Sequence, residues 1–418
     1  MQKQNPSYFN LAVIVAALGY FVDIYDLLLY SIIRVPSLKT MGLNADEIAK
    51  QGLHILNIQM LGLLIGGVIW GVLGDKKGRL KVLFASIILY SLGNIANGFV
   101  HNVEQYAWVR FFTGIGLAGE LGAGITLVSE LMPKEKRGIA TSLVAGIGLS
   151  GAVFAYFIRE KFVGPDGNGW RTCYFIGGGL GFLLLLLRVG VLESGMFKSM
   201  EQHADVRKGD FFMLFTNGRR LKKYLMAILI ALPNWFVIGI LITFSDKFAS
   251  KMNLFGKPVD AGKSVMVAYA AISIGDILIG FVSHWFKSRK KSLLLFHIIT
   301  VFAVLWYFNL QGQSSNSMYW VCALLGFGTG FWAMFVTMAA EQFGTNIRAT
   351  VATTVPNMAR GSLILVSGLF TSIQSYLNPS EAYLKAGWIT GIIVFVIAFI
   401  ALAMTEETFG KDLDYIEK

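Results

Sequence analysis

The stretch GVLGDKKGRLK, Gly71–Lys81, is a short polar turn set between two apolar runs, residues 53–74 and 82–100. By itself it reads as a charged loop joining two greasy helices. Its weight comes from GFVSHWFKSRKK, Gly280–Lys291, which has the same character 209 residues later. ELMPKEKRG from Glu130 finds a counterpart in EQFGTNIRA from Glu341, and Arg137 in Arg348, both at an offset of 211. GIG at Gly114–Gly116 matches GFG at Gly326–Gly328 at an offset of 212. A period of half the chain predicts two copies of one design.

Composition says what the design is. Of 418 residues, 55% are hydrophobic and 15% charged, whereas a soluble protein carries about 25% charged residues. Charge-free runs of the length needed to cross roughly 30 Å of hydrocarbon recur; Val82–Val100, Ile139–Ile158, Leu225–Ser245, Ser292–Leu310 and Ala386–Met404 are the clearest. The full segmentation predicts twelve spans: 9–33, 53–74, 82–100, 106–130, 138–158, 172–190, 223–246, 263–286, 291–311, 317–341, 347–376 and 384–404. The expected fold is an all-α membrane protein of two pseudo-symmetric six-helix bundles. Residues 1–190 form the first bundle, 191–222 a cytosolic linker, 223–404 the second bundle and 405–418 a cytosolic tail.

The net charge of +11 then has a topological meaning. With both termini cytosolic, inside segments hold 22 Lys and Arg and outside loops 11, while Arg110, Arg188 and Arg360 lie within spans. Positive charge gathers on the inside, so no nucleic-acid partner is expected. The opening MQKQNPSYFN lacks a small-residue cleavage site, so no cleaved leader is expected. Cys173 and Cys322 are isolated in apolar segments and the five histidines are scattered, so neither a disulfide framework nor a metal centre is expected, and no cofactor. No HExxH, nucleophile elbow or phosphate loop is present, which argues against an enzyme. The partners expected are the bilayer, protons and a small-molecule substrate, with the chain acting as a monomer.

Charges inside the spans point to what is carried, because a buried ionised group costs several kcal/mol unless it is paired, hydrated or neutralised. Six matter: Asp23, Asp26, Arg110, Glu120, Asp276 and Arg360. Asp26 lies about 25 Å along the first span and Arg110 about 6 Å below the outer end of the fourth, so the two are level and expected to pair. Asp23 sits one turn deeper, and two carboxylates so close cannot both ionise freely. Proton coupling is therefore expected of Asp23, Asp26, Arg110 and Glu120, the last being alternatively a cation-facing substrate group or a carboxylate bonded to a neighbouring helix. A static buried salt bridge is the plain alternative for Asp26 and Arg110.

Arg360 lies about 20 Å along the eleventh span, after Pro356 and before Gly361. A permanent guanidinium there suits a substrate carboxylate; the competing reading pairs it with Asp276. In ALPNWFVIG, residues 231–239, Pro233 and Gly239 interrupt the seventh span. Interrupted helices line transporter sites, which makes Asn234 and Trp235 candidate contacts, joined by Asn57, Gln59 and Asn357.

These motifs resemble a known family. GVLGDKKGRLK resembles the loop signature of the major facilitator superfamily through Gly71, Asp75, Gly78, Arg79 and Lys81. RFFTGIGLAGE and SELMPKEKRG resemble its metabolite:proton symporter branch through Arg110, Gly114, Gly116, Gly119, Glu120, Glu130, Pro133, Arg137 and Gly138, with Ala118 replacing one glycine. DIYD, Asp23–Asp26, is similar to the aspartate pair of the aromatic-acid:proton symporters. The resemblance implies proton-coupled import across a bacterial cytoplasmic membrane, with two bundles alternately opening a central site to each side. It also implies a cytosolic latch of Asp75, Arg79, Glu130 and Arg137, and a second of Arg289, Glu341 and Arg348, although His284 stands where an aspartate is expected. The leading expectation is symport of a small organic anion such as a carboxylate. The alternatives are a sugar, a polyol or a zwitterion such as a betaine, sodium coupling, and, furthest, a membrane-embedded enzyme or receptor.

Overall fold

The computed structural model describes residues 11–77, 79–120, 144–193 and 211–411. The first half holds α1 (Leu11–Thr40), α2 (Ala45–Lys77), α3 (Arg79–Asn97), α4 (Val103–Leu117), α5 (Gly151–Phe162) and α6 (Trp170–Glu193). The second holds α7 (Gly218–Ile230), α8 (Leu232–Phe236), a π-helical turn (Val237–Ile242), α9 (Ser245–Lys251), α10 (Ala261–Phe286), α11 (Arg289–Phe308), α12 (Ser315–Thr329), α13 (Trp332–Glu341), α14 (Thr345–Gly361), α15 (Leu363–Ser375) and α16 (Ala382–Met404). Among the described residues eight helices are long and apolar enough to cross a bilayer, and residues 81–97 form a shorter apolar one.

Helix starts follow local chemistry. Asn102 accepts from the Gln105 N–H at 2.9 Å to begin α4, and Asp260 accepts from the Gly262 N–H at 2.8 Å to begin α10. Ser288 does the same for α11 through the Lys291 N–H at 3.1 Å. Each side chain satisfies a donor that the first helical turn leaves free.

Several predicted boundaries move. The first span continues past Ile33 and through Pro36 to Thr40, where Gly42, at φ 87°, supplies the left-handed turn that ends it. Trp170 Nε1 holds that extra turn by donating to Thr40 Oγ1 at 2.9 Å. The sixth span extends to Glu193, and the seventh begins at Gly218, inside the predicted linker. The seventh span is also composite. Pro233 has no N–H to donate, so α7 stops at Ile230, and a wider turn follows in which Thr243 Oγ1 donates to the Ile238 carbonyl at 2.8 Å. The tenth and eleventh spans break at Gly330–Phe331 and at Ser362.

The two halves repeat at the level of backbone contact. A methyl group on Gly114 would meet the Gln59 carbonyl of α2, and one on Gly326 would meet the Ala268 carbonyl of α10. Gly66 faces the Ile115 carbonyl as Gly275 faces that of Phe327. These pairs sit 209 residues apart on α2 and α10 and 212 apart on α4 and α12. Glycine is needed at each because no side chain fits between backbones so close.

The halves meet along two seams. In one, α1 and α5 pack on α10; in the other, α2 packs on α14 and α15. Charged and polar residues from both halves converge between these seams.

Candidate functional site

In the first half α1 is the polar axis. Asp23 and Asp26 are completely buried, and neither carboxylate has a hydrogen-bond donor. Arg110 does not form the expected ion pair with Asp26. Its Nη2 donates to the Asp26 main-chain carbonyl at 3.1 Å and its Nε to Gln59 Oε1 at 3.2 Å, leaving Nη1 unpartnered. The depth count puts the two residues level, as the carbonyl contact bears out, and Gln59, itself anchored on the Leu27 carbonyl at 3.1 Å, takes the guanidinium Nε. Asn94, buried on α3, faces the Asp26 carboxylate without a hydrogen bond of good geometry.

Glu120 is bonded at both oxygens to Arg188 of α6, with Nη1 to Oε2 at 3.0 Å and Nη2 to Oε1. Arg188 escaped the reading as a partner. The signal was present: Arg188 and Glu120 each lie about 25 Å from the outer ends of their helices.

Arg360 also takes an unexpected partner. Its Nη2 lies 3.8 Å from Asp23 Oδ2, across the boundary between the halves, while its Nε and Nη1 have no acceptor. The guanidinium stands over the Trp332 ring, 5.9 Å from its centroid. Asp276, the expected competitor, instead accepts the Ala333 N–H at 2.9 Å and so caps the start of α13. Asn357, one turn before Arg360, donates to the Ala118 carbonyl of the first half at 2.9 Å. Asn57 accepts from Ser367 Oγ at 2.9 Å across the second seam. Asn234 and Trp235 are buried on α8, which packs against α14, each with a side-chain polar atom unpartnered.

An architecture of repeated bundles around buried charges can be compared with known proteins. The Major Facilitator Superfamily pattern matches residues 7–368. The chain belongs to that superfamily. A niacin transporter of Acinetobacter baylyi is 27% identical over 96% of this chain and 95% of its own length. A sialic acid transporter of Escherichia coli is 24% identical over 93% of this chain and 90% of its own. The structure of a proton:xylose symporter superposes with a TM-score of 0.71 at 19% identity, covering 98% of both chains, which establishes the twelve-helix major facilitator fold. The protein is a membrane-spanning transporter and not an enzyme.

The residues expected to form latches are partly described in this major facilitator transporter. Gly71 is buried on α2 against Thr354 of α14. Gly78, Glu130 and Arg137 fall outside the described residues, as do the side chains of Asp75 and Arg79. In the second half Arg289 Nη2 pairs with Glu341 Oε1 at 3.3 Å, and Thr408 donates to the other Glu341 oxygen at 2.6 Å. Arg348 Nε donates to the Phe343 carbonyl at 3.2 Å. Glu407 closes the arrangement by accepting from Ser288 Oγ and from the N–H groups of Arg289 at 2.8 Å and Lys290 at 3.2 Å. Partial burial pushes the Glu407 carboxyl up, but the bonds from Ser288, Phe409, Arg289 and Lys290 outweigh it and hold the group below its usual range.

A further set of charges, which the reading missed, ties the halves together at the end away from the termini. Arg34 is fully buried and donates to Asp246 at 2.6 Å and to the Thr243 carbonyl at 3.1 Å, with Phe244 beneath its guanidinium. Lys247 pairs with Asp46, and Arg159 with Asp260. A first span that ends at Ile33 leaves Arg34 in a loop, which hides its role.

Proposed function

We propose that the protein is a proton-coupled importer of a small organic anion, working as a monomer in a bacterial cytoplasmic membrane with both termini in the cytosol. The observation that carries this is Arg360: a buried guanidinium, central in the eleventh span, with two N–H-bearing nitrogens free of acceptors. A carboxylate is the natural ligand for such a fork, since it accepts from two guanidinium nitrogens at once. The named cargoes of two relatives, niacin and sialic acid, are both carboxylic acids, which supports the same class. The betaine alternative asked Glu120 to meet a cation. Its bidentate bond to Arg188 leaves it engaged, so the anion reading is preferred.

Proton entry is assigned to Asp26. Its carboxylate is buried without a donor, and the unpartnered Nη1 of Arg110 belongs to a guanidinium already on its main chain. A modest side-chain rotation would exchange the carbonyl contact for the carboxylate, giving a partner that can be taken and released.

In a thermal-shift screen of the purified protein, nicotinate and other carboxylates should stabilise it where nicotinamide and neutral sugars do not, and Arg360→Gln should abolish the stabilisation. In reconstituted vesicles, Asp26→Asn should lose uphill uptake driven by an inward proton gradient while keeping exchange of labelled for unlabelled cargo. Equal stabilisation by acid and amide would remove the anion reading, and unchanged uphill uptake in Asp26→Asn would remove the proton assignment.

A further inference from the structure

Among the described residues the Asp23–Arg360 pair is the one buried charge contact that joins α1 of the first half to α14 of the second. Both side chains are at most 1% exposed. The contact is loose: at 3.8 Å it makes no hydrogen bond, and both Asp23 oxygens and two of the three guanidinium nitrogens stay unpartnered. A packing salt bridge satisfies its groups by short bonds, as Glu120 and Arg188 do in the same protein.

We propose that Asp23 is a resident carboxylate that occupies the substrate's place on Arg360, and that it yields the place only on taking a proton. This deepens the anion reading above and rests on it. Charge balance explains why such a device couples two ions. In the empty carrier Arg360 is neutralised by Asp23. In the loaded carrier the substrate carboxylate neutralises Arg360 and Asp23 holds one proton, so the centre is again neutral. Proton without anion leaves a net positive centre, and anion without proton a net negative one. Each places an uncompensated charge in a low-dielectric interior, which disfavours moving the carrier half-loaded. For a monoanion the exchange consumes one proton from the outer water, which enters by way of Asp26 and rests on Asp23, and returns it to the cytosol when the anion leaves. Asp26 thus sets the route for proton-driven uptake and Asp23 the proton count of binding.

The groups around Asp23 are compatible with this role. On α1 itself Tyr20 and Asp26 flank it. From the other elements, Glu120 at the end of α4 acts on it with Arg188 already bonded to that glutamate, Arg360 faces it from α14, and Tyr269 and Asp276 of α10 share the same electrostatic neighbourhood through Tyr20 and Arg360. Arg360 is in direct contact with Asp23, so a proton on Asp23 acts directly on the anion site.

The test is binding of nicotinate, ionised throughout pH 6–9, to the detergent-solubilised protein by calorimetry in buffers of different protonation enthalpy. The expected result is uptake of close to one proton per nicotinate bound in the range where Asp23 is ionised, with affinity falling up to tenfold per unit rise in pH. Asp23→Asn, which keeps the shape and removes the charge, should bind with no proton uptake and with a flat pH profile, and Asp26→Asn should keep the proton uptake. Binding by the wild type with neither proton uptake nor pH dependence would overturn the proposal by itself, without any variant. Asp23→Asn retaining the full proton uptake would also overturn it. Absence of nicotinate binding at every pH would overturn the anion reading and this proposal with it.

Discussion

A buried bidentate pair shows what one residue contributes. Glu120 and Arg188 bond at both oxygens deep in the first bundle, so removing either leaves the other charged and desolvated. Breaking such a pair from one side costs about 3–5 kcal/mol, whereas replacing both partners with groups of similar volume is close to neutral. Arg188→Met alone should therefore lower the melting temperature sharply, and the double variant Arg188→Met with Glu120→Leu should recover most of the loss. If the double variant is as unstable as the single, the pair is not the source of the effect. The sequence displays both charges, and simple counting puts them at one depth. It does not show azimuth. A span that is apolar on every face gives no periodic stripe to say which way a charge points, so the count aims Arg110 at the Asp26 carboxylate and offers Asp276 as the only protein partner for Arg360. The structure turns each guanidinium by part of a turn, onto the Asp26 carbonyl and onto Asp23.

At the scale of elements, lengths and breaks were far more legible than faces. Hydrophobic length defines a span almost unaided, and Pro233 announces that the seventh is interrupted. The π-helical turn after it has no compositional mark, because it arises where the chain recovers from the missing N–H. The start of α11 was equally hidden: its anchor, Glu407, comes 118 residues later than Arg289. That anchor makes a pH-dependent prediction. The bonds that hold the Glu407 carboxyl below its ordinary range stabilise the ionised form only. Its contribution is thus fully present above the ordinary carboxylate range and is lost as pH falls through the lowered value in the folded protein. Glu407→Gln should cost about 1 kcal/mol or less at pH 7, the usual worth of a solvent-screened helix cap. The melting-temperature gap between the variant and the wild type should close on approach to pH 3; a gap that persists there would show that the charge is not what anchors the helix.

For the whole molecule, the repeat was readable from offsets alone, and the glycine contacts give the reason it survives: both bundles need the same close backbone approaches. The state of the carrier was not readable, since it depends on which charges meet across the halves. Arg34, Asp46 and Arg159 of the first half meet Asp246, Lys247 and Asp260 of the second, all at the end away from the termini, which is the outer end in the proposed orientation. Arg34 and Asp246 stand 212 residues apart, one full repeat, so corresponding ends of the two bundles close on each other. Opening this end must separate all three pairs and hydrate a guanidinium that is buried when closed. Neutralising Asp246 takes away the countercharge of the fully buried Arg34 and leaves its guanidinium only neutral acceptors, the Thr243 carbonyl and the new amide oxygen, while closed. A charged group that loses a buried partner forfeits about 1.5–3 kcal/mol, at least tenfold in the ratio of closed to open. Spin labels at the exposed Phe99 and Tyr376, one on each half, would read this separation. Asp246→Asn should move the distance distribution toward a longer component in substrate-free protein, and Asp246→Glu should keep it short. Superimposable distributions for the wild type and Asp246→Asn would mean that helix packing alone holds the outer end shut.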